Sequence, residues 1–243
     1  MTRKIVRMMA MVLVLSYFPV VMYFVGDAKA STVCTSVTTV VDNSGQNVLV
    51  TADGLSRIVL RAFPDLVGRR ADSIDLAALE RTIEQQPVVK QCDAYLTAGG
   101  VMHVIVSQRE PIMRVFGSSG SYYMDAEAYR IKAGRDMKAR TVVVNGNVGA
   151  LLDSESLISL CKYIDASRFW KAQIEQVYVV SDSEYILVPR VGSHIILFGG
   201  TDNMEEKFAN LKALYKYGWD KREWNVYSKV NLKYKGQVIC TKK

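Results

Sequence analysis

The residues that most often carry out chemistry in proteins are few in this chain, and none stands at the spacing of a known catalytic motif. The two histidines, His103 and His194, have no base or second ligand at motif spacing, and we interpret both as packed or surface imidazoles. Asp125 and Glu127 follow two tyrosines in the stretch YYMDAE, but alternating tyrosines in a hairpin are more often strand packing than a sugar-binding site. The sequence therefore predicts no catalytic residue, no metal site, no cofactor and no small-molecule substrate.

The four cysteines also show no pattern of a reactive site. Cys34, Cys92, Cys161 and Cys240 lie far apart and form no CxxC pair, which argues against a zinc site or a thioredoxin-type dithiol. Because the number of cysteines is even, a disulfide bond remains an alternative if the chain is exported. Each cysteine lies in an apolar run, however, which favours buried free thiols.

A basic N-terminus precedes a long apolar segment. Residues 1–7 contain Arg3, Lys4 and Arg7, whereas residues 8–25 contain no charged side chain. A helix of that length would be about 27 Å long, close to the ~30 Å of a bilayer core. Basic residues ahead of the segment place the N-terminus in the cytoplasm and the rest of the chain outside. We therefore predict one transmembrane helix followed by exported domains.

The alternative for this segment is a cleaved signal peptide. The sequence Ala28–Lys29–Ala30 has the small-residue pattern that precedes a cleavage site. The apolar run is longer than the usual signal-peptide core of roughly 7–15 residues, which favours retention of the helix. Either outcome exports the body of the protein.

Residues 32–110 predict a small two-layer unit. A strand rich in Val and Thr over residues 32–42 is followed by two amphipathic helices, in residues 51–63 and 73–87, and by a hairpin with its turn at Gly99–Gly100. The order β-α-α-β-β predicts a three-stranded sheet with both helices on one face, which is an α+β fold.

Arg109, Glu110 and Pro111 mark the predicted junction with a second domain. Proline lacks the backbone N–H that a continuing strand ladder requires, so the strand should stop at about Glu110. We therefore expect residues 32–110 to enclose a core of their own.

Residues 111–243 predict a β-rich domain with two helices, which are expected at residues 154–164 and 201–218. The last stretch, KVNLKYKGQVIC at residues 229–240, alternates apolar and polar side chains as far as Tyr234. This alternation predicts one final strand with an unpaired edge.

The positive charge of the chain is concentrated near its end. The formal net charge is +7, and residues 200–243 contain ten Lys and Arg against five Asp and Glu. An acidic protein partner or an anionic membrane surface fits this charge. No finger spacing or recognition-helix pattern accompanies it, so nucleic acid is not predicted as a partner.

Three stretches carry a resemblance to a known family. They are VVKQCDAYLTAGGVMHVIVSQREPIMRVF at residues 88–116, YYMDAEAYRI at residues 122–131 and KVNLKYKGQV at residues 229–238. Together with the tail and the apolar segment, they resemble the bacterial cell-division family FtsQ/DivIB in its Bacteroidetes form. Two positions depart from the family pattern. Ala128 stands where the family usually has Gly, and Asn231 to Tyr234 stand in place of Asp-x-Arg-Tyr.

The resemblance implies a non-enzymatic scaffold of the cell inner membrane at the division septum. It implies a cytoplasmic tail at residues 1–7, a transmembrane helix at 8–25, and periplasmic POTRA and β domains at 32–110 and 111–243. The implied partners are the membrane-anchored division proteins FtsB and FtsL, whose binding helps to assemble and regulate septal cell-wall synthesis. The partner-binding residues predicted along the final strand are Val230, Leu232, Lys233, Tyr234, Lys235, Gly236, Gln237 and Val238. The resemblance implies that Lys233 and Tyr234 contact FtsB. We expect the ammonium groups of Lys233 and Lys235 to meet carboxylates of the partner.

Two other functions stay open at this point. One is a cleaved periplasmic POTRA-like binding module for envelope or outer-membrane assembly, which requires cleavage after Ala30. The other is a cell-wall or glycan enzyme that uses Asp125 or Glu127.

Overall fold

A computed structural model describes residues 9, 11, 13–19, 21, 32–42, 47–117, 120–132, 139–149, 154–219 and 224–243. Contacts within the chain divide it into two compact units. The first comprises residues 1–44 and 50–108, and the second comprises residues 45–49 and 109–243.

The predicted membrane helix at residues 8–25 lies only partly within the described residues. Met9, Met11, residues 13–19 and residue 21 are helical. Among the residues that the structure describes, no helix is both long and apolar enough to cross a membrane. The predicted tail at residues 1–7 and the sequence Ala28–Lys29–Ala30 lie outside the described residues.

The first unit is a three-stranded sheet covered by two helices. Its elements are β1 (Ser36–Asp42), α1 (Ala52–Ala62), α2 (Leu76–Glu84), β2 (Val89–Leu96) and β3 (Val101–Gln108), with a 3-10 turn at Ala71–Ser73. The strand order is β1-β3-β2, with β1 parallel and β2 antiparallel to the central strand β3. This arrangement agrees with the predicted α+β fold and the predicted order of its elements.

Each helix of this unit starts at a side chain that accepts a backbone N–H. Thr51 Oγ1 accepts from Gly54 N at 3.1 Å before α1, and Asp75 Oδ1 accepts from Ala78 N at 2.9 Å before α2. The apolar faces of the helices then pack on one face of the sheet. The buried core includes Leu55, Val59, Leu79, Ile83, Val89, Cys92, Met102, Val104 and Val106.

The second unit is a nine-stranded mixed sheet with helices. Its elements are β4 (Pro111–Gly117), β5 (Gly120–Asp125), β6 (Arg130–Lys132), β7 (Val142–Gly146), α3 (Glu155–Ala166), α4 (Arg168–Gln173), β8 (Ile174–Ser181), β9 (Glu184–Pro189), β10 (Ile195–Gly199), α5 (Met204–Ala213), a π-helix (Leu214–Gly218), β11 (Tyr227–Asn231) and β12 (Ile239–Lys242). The strand order is β12-β11-β10-β9-β8-β7-β4-β5-β6. The strands β4, β7 and β8 are parallel neighbours, and so are β10 and β11; the other pairs are antiparallel.

The prediction of two helices in this domain is wrong, because α4 is a third. Ser167 ends α3 and also begins α4, where its Oγ accepts from Trp170 N at 3.3 Å. Trp170 is buried, and its ring lies 4.8 Å from the ring of Phe208 on α5. A six-residue helix is too short to show a helical period, but its single tryptophan joins it to the core.

The prediction of one continuous strand at residues 229–240 is also wrong. The strand β11 stops at Asn231, whose Oδ1 accepts from Lys233 N at 3.0 Å, an interaction that turns the backbone out of the ladder. Gln237 N then donates to the carbonyl of Tyr234 at 3.3 Å, and Gly236 has a positive φ of 69°. The chain therefore reverses, and β12 pairs antiparallel with β11.

A buried histidine lies under the segment that leads into β11. His194 Nε2 and the hydroxyl of Tyr215 are 2.8 Å apart, and the imidazole stands edge-on to Trp219 with the ring centres 4.8 Å apart. Burial lowers the pKa of His194 and raises the pKa of Tyr215. The hydrogen bond therefore joins a neutral imidazole to a protonated phenol, and the tautomer of the imidazole sets which of the two donates.

The turn between β5 and β6 is built around one carboxylate. Asp125 Oδ1 accepts from the N–H groups of Glu127 and Tyr129, each at 2.9 Å, and its Oδ2 lies 2.8 Å from Arg109 Nη1. The guanidinium of Arg109 also lies over the ring of Tyr129, 3.7 Å from its centre. Within this turn Ala128 has a φ of 63°, a left-handed conformation that glycine adopts without strain.

We expect the protein to become less stable as the pH is lowered, because of His194. As the pH falls below about 6.5, the unfolded imidazole takes up a proton while the folded imidazole, with its lowered pKa, stays neutral. The free energy of unfolding then decreases by at most about 1.4 kcal/mol per pH unit until the folded pKa is reached. Chemical denaturation at a series of pH values between 7.5 and 5 measures this decrease in the free energy of unfolding.

The controls for this prediction are two variants of the same contact. His194→Gln removes the titrating group, so its curve should be flatter than that of the unmodified protein. Tyr215→Phe removes the hydrogen bond but keeps the imidazole, so the pH dependence should persist on a less stable background. Equal slopes for His194→Gln and the unmodified protein would contradict the prediction.

We expect Ala128→Gly to stabilise the second unit. Relief of the left-handed strain stabilises the folded chain by about 1–2 kcal/mol. This gain exceeds the free-energy cost of about 0.4–1 kcal/mol that arises because glycine is more flexible in the unfolded chain. The net gain should be about 0.5–1 kcal/mol by chemical denaturation. As a matched control, Ala126→Gly in the same turn lacks a positive φ to relieve and should lower stability. A loss of stability in Ala128→Gly would show that the turn is not strained.

Candidate partner-binding edge

The second unit ends its sheet at β12, which has a strand neighbour on one side only among the described residues. Lys243 N donates to the carbonyl of Val226 at 3.0 Å, towards the segment that enters β11. Because the N–H groups of successive strand residues point to opposite sides, we expect the N–H of Lys242 to point away from β11. This outer edge can therefore take part in a further strand ladder.

The eight residues implied as a binding site do not form one strand face. Val230 lies in β11 and is completely buried, and Leu232 is 2% exposed and continues the ladder by donating its N–H to Leu197 at 3.0 Å. Their side chains belong to the core. The other six, residues 233–238, form the connection between β11 and β12.

Lys233 is held by its own chain. Its Nζ forms an ion pair with Glu184 Oε1 on β9, and both side chains are more than a third exposed. Its aliphatic stem lies over Gly199, where an added Cβ would come within 3.1 Å of Lys233 Cγ. The expectation that this ammonium is available for a partner carboxylate therefore has an internal competitor, which no sequence spacing indicated.

The connection presents Tyr234 to solvent. Its side chain is 57% exposed, Lys235, Gly236 and Gln237 are also exposed, and Val238 packs against the core. The cavity between this connection and the start of α5 is only about 50 Å³, room for a few water molecules. The surface suits a macromolecular contact better than a small ligand.

The residues of the predicted junction lie far from this edge. Arg109 and Glu110 fall between β3 and β4, and Pro111 is the first residue of β4, where a missing N–H is tolerated. Six strand spacings of about 4.8 Å separate β4 from β12 in the sheet, so some 29 Å lies between them. The junction and the edge are therefore separate features.

The thiols of the chain are poor nucleophiles. All four cysteines are free, with Cys34, Cys92 and Cys161 buried and Cys240 half-buried. Burial raises the pKa of each thiol, that of Cys92 to about 12, so the reactive thiolate is disfavoured. The carboxylate of Asp125, which was open to a catalytic interpretation, is occupied by Arg109 and two backbone N–H groups.

Comparison with known proteins assigns both units. Residues 32–107 match the family model of a POTRA-like domain, and residues 110–241 match the model described as FtsQ/DivIB, C-terminal related. No curated protein sequence matches the chain. The second match alone covers more than half of the residues, and the chain therefore belongs to the FtsQ/DivIB family of bacterial cell-division proteins.

Proposed function

We propose that this protein is a non-enzymatic scaffold of the division machinery that holds FtsB- and FtsL-type proteins by strand addition at β12. The observation that carries the proposal is the outer edge of β12, whose N–H groups lack a strand neighbour among the described residues. A partner strand would satisfy these groups and would place alternate side chains against the surface of the domain.

The chemistry of the edge favours an acidic partner. Lysine ammonium groups attract carboxylates over about 8–10 Å at physiological salt, which orients a partner before contact. The lysines around the edge are Lys229, Lys233, Lys235, Lys242 and Lys243. Glu184 already neutralises Lys233, so a partner carboxylate at this position has to displace or share that ion pair. An exposed pair of this kind is worth only about 0–1 kcal/mol, which makes the exchange feasible.

Tyr234 is the side chain best placed to anchor a partner. An exposed tyrosine offers a large apolar ring and a hydroxyl, and tyrosine is enriched among the residues that dominate binding energies. Its neighbours Lys235, Gly236 and Gln237 would surround the anchor as a polar rim.

The location of the scaffold follows from the N-terminal segment. We propose that residues 1–7 lie in the cytoplasm, that residues 8–25 cross the inner membrane, and that a POTRA domain at 32–110 and a β domain at 111–243 lie in the periplasm at the septum. The uncharged run of residues 8–25 supports the anchor. Through its partners the scaffold would help to assemble and regulate septal cell-wall synthesis.

Replacement of Lys242 tests the strand addition. Lys242→Pro removes the outward N–H without touching the bond from Lys243 N, so capture of co-expressed FtsB- and FtsL-type proteins of the same genome should fall by roughly tenfold or more. Lys242→Ala keeps the N–H and is the matched control, with nearly unchanged capture. Unimpaired capture by Lys242→Pro, at an unchanged melting temperature, would refute pairing at this edge.

The same capture assay separates the side chains from the backbone. Tyr234→Ala should also weaken capture by roughly tenfold or more if the tyrosine is an anchor. Tyr217→Ala is the control, because Tyr217 is 77% exposed on the π-helix and lies outside the proposed edge. Equal effects of the two alanine variants would remove Tyr234 from the site.

The membrane anchor has a test of its own. We expect the native protein to keep its N-terminal segment and to remain with the membrane after a high-salt wash, as measured by intact mass and fractionation. A mature chain that begins at Ser31 would instead support the cleaved periplasmic module, which the POTRA-like match also accommodates.

A further inference from the structure

The edge of the first sheet at β2 is satisfied by side chains rather than by a strand. The N–H of Cys92 donates to Glu84 Oε1 at 3.1 Å, and the N–H of Ala94 donates to Glu80 Oε1 at 2.8 Å. Both carboxylates come from α2, which lies beside the edge. Hydrogen bonds from an N–H group to an ionised carboxylate are stronger than those between neutral groups.

The spacing of the two elements makes this double contact possible. Glu80 and Glu84 are four residues apart on α2, a rise of about 6 Å along the helix. Cys92 and Ala94 are two residues apart on β2, about 6.6 Å along the strand. Because the chain reverses between the two elements, Glu84 lies at Cys92 and Glu80 lies at Ala94.

The carboxylate oxygens occupy the positions that carbonyl oxygens of an added strand would take. Cys92 and Ala94 pair with Val106 and Val104 on β3, but they direct their N–H groups away from that strand. Edge strands with such outward groups are the sites where sheets join sheets, and proteins commonly block them with charged side chains.

We propose that Glu80 and Glu84 close the β2 edge, and that without them β2 pairs with β2 of a second copy of this chain. A second copy fits because a two-fold antiparallel pairing centred on Cys92 places Lys90 opposite Ala94 and Gln91 opposite Asp93. No like charges face each other directly in that register, and the N–H of Cys92 in each copy would meet the Cys92 carbonyl of the other. The carboxylates of Glu84 and Glu80 occupy the outward N–H groups of Cys92 and Ala94 and so block this pairing.

The closure acts through hydrogen bonding and through charge together. A strand that approaches β2 has to expel two bonded carboxylates and then meets their negative charges with its own carbonyl oxygens. Asp93 adds to the negative charge around this edge. Burial is the main cause of the raised pKa of Cys92, and the charges of Glu80, Glu84 and Asp93 raise that pKa further. The inference does not depend on what binds at β12.

Removal of both carboxylates tests the proposal. The unmodified full-length protein and its variants are purified and compared in the same detergent. Glu80→Ala with Glu84→Ala should expose the edge, and sedimentation velocity should then show a concentration-dependent doubling of the protein mass. At low concentration, where the variant is monomeric, the amides of Cys92 and Ala94 should exchange hydrogen roughly tenfold faster or more than in the unmodified protein, because each loses a charge-assisted bond.

The matched control is Glu80→Gln with Glu84→Gln, which removes both charges but keeps an acceptor oxygen at each position. We expect it to associate less than the alanine variant and to keep both amides better protected, because a neutral amide oxygen still accepts each N–H. A monomeric alanine variant with unchanged exchange would overturn the proposal, and so would a glutamine variant that dimerises like the alanine variant. If the double alanine variant loses its circular dichroism signal, Glu84→Ala alone decides the question through the exchange of the Cys92 amide.

Discussion

A sheet that does not close on itself leaves two edges, and the backbone N–H and C=O groups along those edges must find partners. The described part of this chain forms two open sheets, one of three strands and one of nine. The two sheets meet this requirement in different ways at the edges formed by β2 and β12. Carboxylates from α2 accept two N–H groups of β2, whereas β12 has no strand on its outer side in the part of the chain that the structure describes.

The two edges differ because of what lies beside them. The chain reverses directly from α2 into β2, so the helix runs along the strand and its glutamates reach the edge. The chain enters β12 from the connection at residues 233–238, and the start of α5 lies beside that connection. A closed edge favours a rigid domain, and an open one favours association. Their different roles follow from local connectivity.

The amphipathic periods of residues 51–63 and 73–87 were sufficient to predict the first unit, because Leu55 and Val59 on one helix and Leu79 and Ile83 on the other point into one core. The last strand was not predictable in this way. Alternation correctly indicates that Val230 and Leu232 face the core, but it fails at Tyr234, which is exposed because the chain leaves the ladder where Asn231 Oδ1 accepts from Lys233 N. The ion pair between Lys233 and Glu184 joins residues 49 apart in sequence, and no local pattern indicates it.

These contacts give the residues at the family motif, 231–234, structural tasks within the chain itself. Asn231 accepts a backbone N–H and ends β11, a task that the family's usual aspartate can also perform. Lys233 replaces the usual arginine and bonds Glu184 as a single point charge, without the two-pronged geometry of a guanidinium. Two polar positions of the motif thus have internal partners that shape the turn. Tyr234 is the member that the turn leaves exposed, so in this chain the motif acts as a support that presents one aromatic side chain beside the open edge.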